Sequence, residues 1–164
     1  MKSNGLVKKI VGAVLSLLAF VGLALPFYVM TLSSSAVDTT SSTTGSWQEW
    51  LDTIESGNKV NLDEMAGWNA SKVFYIILFV LLSLVAVALI VSIFVDNKIF
   101  IQITKWVAVA SLIVAILSIV TMLIGGIMLS SSGSVVSRTY LPSLGAIVVS
   151  LLGIIGTSVA ISAC

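Results

Sequence analysis

Residues Val73 to Val95 read VFYIILFVLLSLVAVALIVSIFV, without a single charge. A helix rises about 1.5 Å per residue and the hydrocarbon core of a bilayer is about 30 Å thick, so about 20 apolar residues suffice to cross it. Three more runs meet that length: about Ile10 to Met30, about Trp106 to Leu129, and about Ser143 to Ala163, the last opening just after Pro142. The chain has 164 residues, 58% of them apolar and 9% charged, with a mean hydropathy of +1.15. Soluble domains carry about 25% charged residues, and one this small cannot bury four such helices. The expected fold is all-α, an integral membrane four-helix antiparallel bundle. It forms a single membrane domain over residues 1–164, with spans near 10–30, 73–95, 106–129 and 143–163. A large first extracellular loop, 31–71, contains a short amphipathic helix, and a smaller one covers 130–142.

Basic residues set the orientation of such a chain. Lys2, Lys8, Lys9, Lys98 and Lys105 fall on one side with Asp96. Lys59, Lys72 and Arg138 fall on the other with Asp38, Glu49, Asp52, Glu55, Asp63 and Glu64. The five-to-three bias places both termini in the cytoplasm. Trp68, Tyr28, Tyr75 and Tyr140 then mark the outer interface and Trp106 the inner one. The lysine-led first run also resembles a secretory signal, but its apolar stretch to Leu32 exceeds the usual core of about 7–15 residues. It is expected to stay as a span.

Lipid gives helices no hydrophobic reason to associate, so small residues that allow close approach must bring them together. Ala108, Ser111, Ala115, Ser118, Met122 and Gly125 alternate steps of three and four, as do Ala146, Ser150, Gly153, Thr157, Ala160 and Cys164. The first run has a shorter version in Gly5, Gly12, Ser16 and Ala19, and the second offers Ser83 and Ala86. Such heptad spacing predicts left-handed packing. The same stripe could line a path for a solute. The preferred expectation is tight packing, with the hydroxyls bonded back to helix carbonyls. The short connection Asp96-Asn97-Lys98 makes the second and third spans neighbours.

The long loop has two parts. Residues 31–46 are dominated by Ser and Thr and are expected to be extended or mobile. Ser46-Trp47-Gln48-Glu49 then forms a capping box, followed by Trp47, Trp50, Leu51 and Ile54 at helical spacing, with a stop at Gly57-Asn58. A second short turn is expected from Asn61, with Leu62 and Met65 inward, ending at Gly67. The tryptophan face has three candidate homes: a lid over the bundle, a protein partner, or lipid headgroups. Interfacial helices favour basic polar faces, whereas this one is acidic. Trp47, Trp50, Leu51, Ile54 and Trp68 are the candidate partner contacts. Gly12, Ser16, Ala115, Ser118, Gly125, Ser150, Gly153 and Thr157 are the candidate packing residues. Asn69-Ala70-Ser71 matches a glycosylation triplet but abuts the second span. Arg138 is expected to be solvent-exposed.

Reactive chemistry is sparse. Histidine is absent and Cys164 is the one cysteine, which removes Cys/His zinc sites, Ser-His devices and an internal disulfide. The loop acids lack Asp-x-Asp-x-Asp-Gly spacing. No cofactor, metal ligand or catalytic residue is assigned, and the near-neutral charge gives no reason to expect nucleic acid. No span carries a deep ionisable residue of the kind proton relays and most coupled transporters need.

Four spans, inside termini, and a large first loop holding Trp47, Trp50 and Gly67-Trp68 resemble the claudin-like tetraspan layout by topology, with no counterpart of the two claudin loop cysteines. Gly22-Leu23-Ala24-Leu25-Pro26-Phe27 resembles small uncharacterised bacterial four-span membrane proteins, which implies a plasma-membrane location. The expected function is that of a non-enzymatic accessory subunit or scaffold, contacting lipid and another membrane protein or a second copy of itself. The alternative is a pore or transport component with a Ser/Thr-lined path formed in an oligomer.

Overall fold

In the computed structural model, residues 2–132 and 136–164 are described. Helix α1 (Lys2–Leu18) tightens into a 3-10 segment (Ala19–Ala24), and the helix ends where Leu25 turns extended. Proline explains the stop. Pro26 has no N–H to donate, and its ring drives the preceding residue out of helical geometry. The first membrane-crossing helix therefore covers Asn4–Ala24. This corrects the expected 10–30 span: Tyr28 to Met30 belong to a strand.

The three other long helices are α3 (Ala66–Phe94), α4 (Lys98–Leu129) and α5 (Leu144–Ala163). With the first, they make four helices long and apolar enough to cross a membrane. Both α3 and α4 begin earlier than their apolar cores do. Asn97 caps α4, its side-chain oxygen accepting from the N–H groups of Ile99 (2.9 Å) and Phe100 (3.4 Å). Gly67 lies inside the first turn of α3 and does not end a turn.

The interior is mixed: Leu78, Leu82, Val85, Leu89 and Val149 are fully buried, and Ser16, Ser71, Ser92, Thr104, Ser111, Ser118, Ser150 and Thr157 are buried too. Val73, Val80, Val87 and Phe94 stand exposed at seven-residue intervals along α3. Large apolar side chains on the outer surface, with small or hydroxylated residues at the helix contacts, are what a lipid solvent selects. This distribution, together with the four helices, makes the chain a multi-pass helical membrane protein.

The candidate packing residues sit at these contacts, with Gly12, Ser16, Ala115, Ser118, Gly125, Ser150, Gly153 and Thr157 all buried. Ala108, Ser111 and Met122 are buried too, whereas Gly5, Ser83 and Cys164 are half-buried. A Cβ on Gly156 would lie 2.9 Å from the Ser16 nitrogen, so α1 and α5 approach almost backbone to backbone. Three hydroxyls on the stripes bond to their own helices, Ser111 to Val107 O (2.8 Å), Ser118 to Val114 O (2.7 Å) and Thr157 to Gly153 O (2.7 Å), whereas Ser150 Oγ faces the Tyr75 hydroxyl and the buried Ser16 Oγ has no partner among the described residues.

The fold is not all-α. A mixed cap closes one end of the bundle. Strand β1 (Tyr28–Ser34) pairs antiparallel with β2 (Thr39–Gly45), and its other edge pairs with β4 (Val136–Pro142), which carries a two-residue β3 (Ser131–Ser132). The sheet order is β2-β1-β4-β3. The Ser/Thr-rich stretch, expected to be extended or mobile, is extended, and its two strands pair as a hairpin. Threonine is β-branched and fits a pleated strand. Asp38 sits at φ 49° in the connecting turn, a left-handed geometry that aspartate tolerates better than most residues. Backbone pairing with β4 is invisible to local pattern because the partner lies about a hundred residues away.

Candidate functional site

The cap gathers most of the aromatic side chains. Helix α2 (Trp47–Asn58) carries the complete capping box: the Ser46 N–H donates to Glu49 Oε2 (2.6 Å) and the Glu49 N–H to Ser46 Oγ (3.3 Å). These two bonds hold the Glu49 carboxyl below its ordinary value, the backbone bond contributing most. The helix therefore starts with Trp47 and Trp50 turned toward the bundle.

Phe27 is the hub. Its ring lies 4.8 Å from Trp47, 5.1 Å from Trp50 and 5.1 Å from Tyr75. Trp68 extends the cluster toward Trp50 (6.0 Å), Tyr28 (5.6 Å) and Tyr140 (5.5 Å). Residues from β1, α2, α3 and β4 thus meet in one aromatic layer. Edge and tilted ring pairs each add about 0.5–1.5 kcal/mol beyond their area burial. The Tyr75 hydroxyl reaches into the bundle, 3.1 Å from Ser150 Oγ, so the layer is anchored to α5.

Among the five candidate contacts, Trp50, Ile54 and Trp68 are fully buried, and Trp47 and Leu51 are half-buried against the same core. The tryptophan face is a lid on its own bundle. Among the described residues the indole N–H groups of Trp50 and Trp68 have no hydrogen-bond partner; what these residues show is ring packing. Sequence periodicity finds an apolar face but cannot tell whether the surface that covers it belongs to the same chain.

The exposed side of the cap is different in character. Glu49, Asp52 and Glu55 project from α2, and Asp63 and Glu64 from the connection to α3. In that connection Val60 is 89% and Leu62 63% exposed. Leu62 was expected inward; only Met65 turns in, where its sulfur fills the space a Cβ on Gly57 would need. No local periodicity marks Val60. Beside it runs a groove of about 500 Å³ whose lining includes Asp52, Thr53, Ser56, Glu64 and Tyr140.

Asn69 is engaged in a reciprocal amide pair with Asn58, at 3.0 and 2.6 Å, tying the end of α2 to the start of α3. Ser71 donates to Ser118 O at 3.1 Å. The glycosylation triplet is therefore folded into the helix junction. Arg138 is exposed on β4. Among the described residues no group of three or more His, Cys, Asp or Glu side chains could hold a metal ion. No protein-family model and no curated protein sequence matches the chain.

Proposed function

We propose that this chain is a non-enzymatic accessory subunit or scaffold of the plasma membrane, with both termini in the cytoplasm and the cap outside. The observation that carries this reading is the division of the cap into two faces. The tryptophan layer locks it to the bundle, and the exposed face carries five carboxylates as well as the exposed Val60 and Leu62, with Asp52 and Glu64 sharing a groove with Val60. A rigidly held cap with an acidic rim and exposed apolar tips suits contact with another protein, because apolar anchors ringed by polar residues dominate interface energetics. The contacts with a membrane partner run through the lipid-facing helix surfaces and this rim. The claudin-like layout agrees with a structural role of this kind. The self-bonded hydroxyls of Ser111, Ser118 and Thr157 weigh against a solute path through one copy.

Crosslinking in intact membranes followed by purification in mild detergent tests the proposal. A specific partner, or a second copy, should be captured by the native chain and lost on Val60→Asp together with Leu62→Asp. A chain that stays solitary under crosslinking overturns it. Liposome flux above that of empty vesicles would favour the pore reading instead.

A further inference from the structure

At the end of the bundle opposite the cap, a groove of about 520 Å³ runs along α4 beside Cys164. Its α4 wall is formed by Lys98, Ile101, Gln102, Lys105, Trp106 and Val109. These positions fall at intervals of three and four, so they make one face of the helix. Helix α4 has 32 residues and is about 48 Å long. Its uncharged run from Trp106 to Leu129 already spans about 36 Å, more than the hydrocarbon core requires. The first two turns, with Lys98, Gln102 and Lys105, therefore stand in the headgroup layer. Trp106, 66% exposed, marks the boundary, and Val109 continues the groove into the hydrocarbon.

We propose that this groove is a binding site for an anionic phospholipid, with the headgroup phosphate held between Lys98 and Lys105. The two lysines lie seven residues apart on α4, a backbone rise of about 10 Å that their long side chains can close. Neither makes a hydrogen bond or ion pair among the described residues. Asp96, the acid assigned to this end, lines a different groove on the other side, with Lys9 and Ser92. Lys9 donates to Ser92 O at 2.8 Å. At this end of the chain's helices Lys8, Lys9, Lys98 and Lys105 outnumber the one acid, Asp96. From the start of the helix inward the wall runs Lys98, Ile101, Gln102, Lys105, Trp106 and Val109, so both lysines precede the indole and the final aliphatic residue, as a phospholipid's headgroup precedes its acyl chains. A free phosphate would use the lysines but leave Trp106 and Val109 without a partner. Basic pockets beside membrane helices recognise anionic headgroups in this way. The inference needs the chain in a bilayer and is independent of the cap's partner.

The test is native mass spectrometry of the full chain released from detergent, titrated with phosphatidylglycerol or phosphatidylcholine. Phosphatidylglycerol should bind at least tenfold more tightly. Each lysine near the surface is worth about a fivefold change, so Lys98→Gln with Lys105→Gln should weaken it about thirtyfold. Lys98→Arg with Lys105→Arg should retain it, as should Lys59→Gln at the cap end. Millimolar inorganic phosphate should not displace the lipid. Equal binding of the two lipids, full retention in the double glutamine variant, or displacement by phosphate overturns the proposal. Circular dichroism and the thermal midpoint confirm that each variant stays folded.

Discussion

Gly67 and Gly125 meet where α3 crosses α4 beneath the cap: a Cβ placed on Gly67 would lie 2.5 Å from Gly125 Cα and 2.8 Å from its nitrogen. A Cβ on Gly125 would collide with the Trp68 ring and approach the Trp68 nitrogen to 2.7 Å. The obstacles include backbone atoms, which cannot rotate away as a flexible side chain would. This contact sets how deeply Trp68 enters the aromatic layer, so it couples helix packing to the seating of the cap.

Gly67→Ala and Gly125→Ala should each destabilise the protein by about 1–3 kcal/mol, the usual cost of overpacking. Thermal unfolding in detergent should show a lowered midpoint for both. Gly5→Ala, where nothing lies within 4 Å of the added Cβ, should not lower the midpoint and should raise it slightly through the better helix propensity of alanine.

Tyr75→Phe removes a buried hydroxyl that lies 3.1 Å from Ser150 Oγ and 3.4 Å from Ala146 O. The expected loss is about 0.5–1.5 kcal/mol, the net worth of a typical hydrogen bond. Trp50→Ala empties a fully buried site and should cost about 3–5 kcal/mol. Chemical denaturation of the two variants should rank them in that order; equal losses would mean that the ring of Trp50 is not packed as described.

The capping box gives the cap a pH dependence of known sign. The Glu49 carboxyl is held below its ordinary value of 4.5 in the folded state. Its contribution is present above the unfolded value and disappears as pH falls through the folded one. Carbon-13 titration of Glu49 should show the lowered midpoint, and Ser46→Ala, which removes the hydroxyl but keeps the backbone N–H that contributes most, should raise it only part of the way. The same substitution should cost about 1 kcal/mol through the lost cap.

The four tryptophans should report their surroundings separately in single-tryptophan variants. Trp106 should be quenched by brominated lipid, because it stands 66% exposed on the helix surface. Trp50 and Trp68, at 0% and 1% exposure, should resist both brominated lipid and aqueous acrylamide. Ready acrylamide quenching of Trp50 would show that the lid is not closed.

Sidedness can be read with cysteine labels after Cys164→Ser. A membrane-impermeant maleimide applied to intact cells should modify Thr43→Cys, which lies on the exposed strand β2, and spare Lys98→Cys. The reverse pattern would invert the proposed orientation.

Local pattern carried far in this chain. The charge-free run from Val73 to Val95, the seam from Ala108 to Gly125 and the signature Ser46-x-x-Glu49 all act over one helical segment, so their reading needs no knowledge of distant residues. The tertiary structure decided the rest. Tyr28↔Pro142 and Ser34↔Val136 are paired across β1 and β4, a register no window can contain, and with it the all-α expectation gives way to a sheet. The fate of the tryptophans was decided in the same way. Period told that Trp47, Trp50 and Ile54 share a face, but an apolar face is satisfied equally by a partner, a bilayer or its own bundle. Phe27, Trp68 and Tyr75 arrive at that face from other elements, and the cluster they complete buries it within the chain. The hydrophobic effect rewards burial without specifying the neighbour; only the folded arrangement of α2 over α3 and the sheet names it.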